Sequence, residues 1–134
     1  MNDTSASTSQ TTLLRELRLT LLHLHKSLLN MERQSFERTH GAVNSGVLLQ
    51  LVVNHPQFAW LRIISALVVE IDEMLDADEP PADVDVVKLV TGARQLFTSS
   101  ENDEFRDKYQ AALQREPEVV MAHSALMKLV RSKP

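Results

Sequence analysis

Leucines at positions 14, 17, 21, 24 and 28, followed by Met31, advance in alternating steps of three and four. That rhythm is the period of one helical face, and it is sustained for more than two heptads. Leu22, Leu29 and Phe36 widen the seam into the broad apolar face of a bundle helix. Thr11 or Thr12 is placed to cap its start, and Gly41 to stop it. About thirty residues at 1.5 Å each make a rod roughly 45 Å long. Whatever else the chain does, it has to cover this seam with other elements.

The remaining segments read as helices too. "VLLQLVV", at 47–53, has no decisive period. No other segment reads as a strand, and a lone strand would leave its backbone groups unpaired, so a short helix is expected. Asn54 or His55 before Pro56 suits the start of the next helix. There Leu61, Ile64, Val68, Ile71 and Leu75 form a second three-four seam, flanked by Trp60, Leu67 and Met74, and "DADEPP" ends it. A fourth helix is expected at about 82–97, burying Val86, Leu89, Val90, Ala93, Leu96 and Phe97. A fifth, at about 100–115, is thinner and relies on Phe105, Tyr109 and Leu113. Pro117 either separates it from a last helix or kinks it into one that ends near Arg131. The expectation is all-α: an up-and-down type bundle of four to six helices, with the long first and third helices antiparallel. Residues 1–10 are expected as a disordered tail and 11–134 as one domain.

Charge narrows the function. The 134 residues carry a formal net charge of -4 with the signs mixed along the chain, which argues against nucleic acid or an anionic membrane as partner. There is no cysteine, so disulfides, thiolate metal sites and cysteine nucleophiles are excluded, and a reducing cytoplasm is the expected setting. The first dozen residues lack both the basic start and the apolar stretch of a secretory signal. Residues 41–61 contain no Lys, Arg, Asp or Glu, yet Asn44, Gln50, Asn54, His55, Pro56 and Gln57 interrupt them too often for a membrane span.

"ERTHG" closing a leucine-rich helix, followed by "HPQFAWLRIISALVVEID", resembles a family of small bacterial proteins. In that family an E-R-x-x-G precedes an H-P-x-F-A-W-L segment and an I-D helix end. The likeness spans roughly residues 13–130. It implies a bacterial helical protein, and it brings no established activity and no functional residues.

Several side chains are candidates for chemistry. Glu37 and His40 have the i, i+3 spacing by which a helix offers two metal ligands, but a di-metal bundle centre needs that motif twice, with two further carboxylates. With Gly41 next to it, His40 lies in the last turn, and Glu37 is four residues from Arg33; a solvated helix end is the simpler reading. A better cluster flanks the seams. His25 and Glu32 are seven apart on the first helix, Ser65 and Asp72 seven apart on the third, and His123 falls between Val119, Leu126 and Val130 on the last. If these stripes face one another, they form a buried polar cluster able to hold a metal or small polar ligand, or to move protons. The plainer alternative is that they mark the edges of apolar faces. His55 reads as part of a helix start, Trp60 as core, and Arg62 as a rim residue.

No glycine-rich phosphate loop, G-x-S-x-G, H-E-x-x-H or G-x-G-x-x-G is present. The expected function is a non-catalytic protein-interaction or homodimerising module without a cofactor. The alternative is a metal- or small-ligand-binding bundle that uses His25, Glu32, Ser65, Asp72 and His123.

Overall fold

The computed structural model describes residues 2–131, with side chains from residue 9. Its α-helices are α1 (Asn2–His40), α2 (Ser45–Asn54), α3 (Arg62–Asp76), α4 (Asp83–Ser99), α5 (Asp103–Arg115) and α6 (Pro117–Arg131). A six-residue 3-10 helix, Pro56–Leu61, stands between α2 and α3. No strand occurs among the described residues, so the chain is all-α.

The seam on α1 behaves as its spacing requires: Leu14, Leu17, Leu21, Leu24 and Leu28 have no exposed surface. Each such leucine contributes about 1.5–3 kcal/mol of apolar burial. The face is narrower than expected, because Leu22 is exposed while Phe36 is buried and Leu29 half-buried. α1 packs chiefly against α6 and α3, and these two neighbours cover the seam and its immediate flanks rather than the whole cylinder.

The start of α1 is a correction. The helix runs from Asn2, so the stretch expected as a tail is its first turns, and Thr11 and Thr12 lie inside it rather than at its cap. Once a helix is nucleated, each added residue gains a hydrogen bond at little further cost, and weak formers such as Ser and Thr are carried along. At its other end Gly41 stops the helix as expected. Its φ of +85° is the left-handed conformation that glycine adopts without strain, and its N–H returns to the Glu37 carbonyl at 2.9 Å.

"VLLQLVV" is helical, within α2, and the Asn44 side chain caps it by accepting from the Val47 N–H. His55 does the same for the 3-10 helix, where its Nδ1 accepts from the Gln57 N–H and Pro56 occupies the first turn. The third helix of the sequence reading is therefore two elements. "PQFAWL" winds as a 3-10 segment that buries Phe58, Trp60 and Leu61 before α3 begins. Pro117 separates α5 from α6: Glu116 before it is extended, at φ -117° and ψ 107°.

The sparse α5 holds its place with rings. Phe105 lies 5.6 Å from Trp60 and 5.7 Å from Phe97 between ring centroids, and Tyr109 lies 5.1 Å from Phe97. Large aromatic surfaces compensate for the small number of apolar positions. No helix among the described residues is long and apolar enough to cross a membrane.

Candidate functional site

The two polar stripes meet. Glu32 on α1 is the one buried charged side chain among the described residues, 9 % exposed. Its carboxylate accepts from the Trp60 indole N–H at 2.7 Å and from the Gln57 amide at 3.0 Å. Gln57 also donates to the Glu32 carbonyl at 3.2 Å. Seven residues earlier, His25 Nε2 and the Ser65 hydroxyl are 3.2 Å apart. Seven earlier again, Arg18 donates to Asp72 at 2.5 Å. The partners ascend along α1 as they descend from Asp72 through Ser65 to Trp60, and together they form a three-rung polar ladder set into an apolar interface.

The rungs do not converge. His25, Glu32 and Asp72 take different partners, and His123 joins a fourth element, its Nδ1 lying 2.7 Å from the Tyr109 hydroxyl. Among the described residues no group of three or more His, Asp or Glu could hold a metal. Nor does a carboxylate bond to His25 among them, so the Ser65–His25 pair lacks the third group that orients a catalytic base. Arg18 was not among the sequence candidates. The signal for it was there, because positions 18, 25 and 32 repeat every seven residues.

Burial sets the protonation of two of these groups. It lowers the pKa of His25, and it lowers that of His123 with a smaller contribution from Arg131. Burial also pushes the Tyr109 hydroxyl up, which keeps it protonated. The direction of the hydrogen bond between the Tyr109 hydroxyl and His123 Nδ1 is set by the His123 tautomer, since the phenol can donate or accept.

The Glu37/His40 segment works as a clamp on the turn into α2. Glu37 accepts from the Val43 N–H at 2.9 Å, while Arg33 donates to the Val43 carbonyl at 2.7 Å and to Glu37 at 3.4 Å. The Val43 hydrogen bond lowers the Glu37 pKa, desolvation opposes it, and Arg33 adds to the lowering. His40 stacks on Phe36 with centroids 4.0 Å apart and does not meet Glu37. At the far end of α2, Arg62 is exposed and donates to the Val53 carbonyl.

Between these two clamps α2 buries none of its residues. Val47, Leu49 and Val53 are 43 %, 63 % and 55 % exposed. The helix rests mainly on the 3-10 segment. Its outer face is apolar and is left uncovered among the described residues. Comparison of the chain with protein-family models, curated proteins and solved structures finds no match.

Proposed function

We propose that the protein is a non-catalytic helical-bundle module that acts by association, first with a second copy of itself, through the uncovered face of α2. The observation that carries this reading is the absence of any buried residue in a helix with six Val and Leu among its ten positions. A helix so apolar normally lies in a core, and an exposed apolar patch marks an interaction surface. A second copy is favoured by charge. Two chains of net charge -4 repel one another, but residues 41–61 carry no Asp, Glu, Lys or Arg, so this segment meets its own image without juxtaposing like charges.

Behind that face we read an up-and-down bundle with α1 and α3 antiparallel, a reading supported by the order in which the ladder residues pair. The segments "ERTHG" and "HPQFAWL", which carry the resemblance to a bacterial family, are the two that flank α2. A bacterial cytoplasm is the setting that fits this likeness and the cysteine-free composition.

Sedimentation velocity across the micromolar range tests the proposal. The native chain should sediment as a dimer. The variant carrying Leu49→Glu and Val53→Glu should sediment as a monomer, with unchanged far-ultraviolet circular dichroism. A native chain that stays monomeric throughout overturns the reading.

A further inference from the structure

A cavity of about 190 Å³ lies between α1 and α4, on the N-terminal half of α1. No residue of α2 or of the ladder lines it, so it stands apart from the association proposed above. Leu13, Val86 and Val90 give it an apolar lining, and Gln10, Thr91 and Arg94 give it a polar one. One acceptor of these lining residues is unsatisfied. Gln10 Oε1 is closed off from solvent and has no hydrogen-bond partner, the only such side-chain atom among the described residues. Buried polar atoms are rarely left so, because folding strips their water and the loss is not made good. Thr91 and Arg94 carry donors in the same lining, yet neither bonds to this oxygen. Arg94 is engaged with the Val130 carbonyl instead, to which it donates at 3.2 Å.

That imbalance sets the chemistry of an occupant. It has to bring a hydrogen-bond donor, which an ionised carboxylate lacks. It should not bring a positive charge, because the Arg94 guanidinium, always protonated, belongs to the same lining. A neutral hydroxyl meets both conditions: its proton goes to Gln10 Oε1, and its oxygen is free to accept from Thr91 or Arg94. The terminal torsion of a glutamine is broad, so the amide turns its oxygen to a donor placed beside it at little cost. An apolar cavity of about 150 Å³ accommodates a benzene ring, so this one suits a ligand of about seven non-hydrogen atoms.

We propose that this cavity binds a short aliphatic alcohol, whose hydroxyl donates to Gln10 Oε1 and whose chain lies against Leu13, Val86 and Val90. Binding then has two sources: apolar surface leaves water, and a buried acceptor gains the donor that the fold does not give it.

The full chain, labelled at its methyl groups, is titrated by NMR at neutral pH with hexan-1-ol, 1-methoxypentane and hexan-1-amine. The alcohol should give saturable shifts centred on the Leu13, Val86 and Val90 methyls. The ether matches it in size and lacks only the donor, so it should bind about fivefold to tenfold more weakly, as expected for one lost hydrogen bond. The amine donates but is charged at this pH, and it should bind more weakly than the alcohol as well. Gln10→Met keeps the length of the side chain and removes the acceptor, so alcohol and ether should bind this variant equally. The comparison of alcohol and ether on the native chain needs no variant and stands if Gln10→Met does not fold. No saturable shift with hexan-1-ol overturns the proposal. So does an ether or an amine that binds the native chain as tightly as the alcohol, or a preference for the alcohol that survives in Gln10→Met.

Discussion

The α1–α3 interface and α2 invert the usual relation between residue type and burial. The interface takes in Glu32, His25, Ser65 and the edges of Arg18 and Asp72, whereas α2, with no charged residue, has no fully buried residue and packs only Leu48, Leu51 and Val52 partly against the core. The difference shows that burial follows available partners as much as polarity. Glu32 is tolerated inside because the Trp60 indole and the Gln57 amide meet its oxygens, so that its desolvation is offset. Leu49 of α2 remains outside, and Leu48 and Leu51 are only half-buried against the core, because α1 has already given its apolar seam to α3 and α6. Hydropathy alone would have ranked the two regions the other way round.

The sharpest way to break this comparison is to shorten one leucine in each region. Leu28→Ala, at a position with no exposed surface, should lower unfolding stability by about 2–5 kcal/mol. Leu49→Ala, measured by urea unfolding of the monomer, should change it by no more than about 0.5 kcal/mol. Equal losses would mean that α2 belongs to the core after all.

The ladder should be graded from its inner to its outer rung. Glu32→Ala leaves two donors without their acceptor and should lower stability by about 2–3 kcal/mol. Asp72→Ala breaks a pair whose side chains are 36 % and 42 % exposed, and its loss should stay below about 1 kcal/mol. Urea titrations of both variants check this, and similar values would show that the rungs do not differ in burial energy.

The smallest effect is expected from pH. His25 and His123 have folded pKa values below their unfolded value of 6.5, so the unfolded chain binds more protons in that range. Stability from these groups is therefore fully present above pH 6.5 and declines as pH falls below it toward the folded values. The thermal midpoint should drop between pH 7.5 and 5.5, and the drop should shrink in a His25→Gln/His123→Gln variant. A midpoint that rises on acidification would contradict the burial of both rings. Glu37, held low chiefly by the Val43 N–H, adds a loss of the same sign only below its ordinary value of 4.5.

Much of this was legible in the sequence, because periodicity reports directly on which faces are buried. The seams of α1 and α3 and the Gly41 stop follow from spacing and glycine chemistry, and the short helix at "VLLQLVV" from elimination, since a lone strand would leave its backbone groups unpaired. The seven-residue spacing of His25 with Glu32 and of Ser65 with Asp72 marked the facing stripes, although Arg18 at the next step was passed over. What periodicity does not report is who meets whom. Nothing local says that Glu32 pairs with Trp60 instead of Asp72, that His123 turns to Tyr109, or that Leu22 stays outside. Those outcomes depend on how α6 and α3 divide the surface of α1 between them.

The two clamps on α2 have a consequence for kinetics and specificity. Val43 is gripped on both its N–H and its carbonyl by Glu37 and Arg33, Asn44 closes the first turn, and Arg62 holds the carbonyl of Val53. A helix secured at both ends does not have to be ordered when a partner arrives, so little conformational entropy is lost on docking. Such a surface discriminates by shape in the first encounter rather than adapting to whatever it meets. Loosening a clamp, for example with Arg33→Ala, would then weaken association without touching a single contacting side chain.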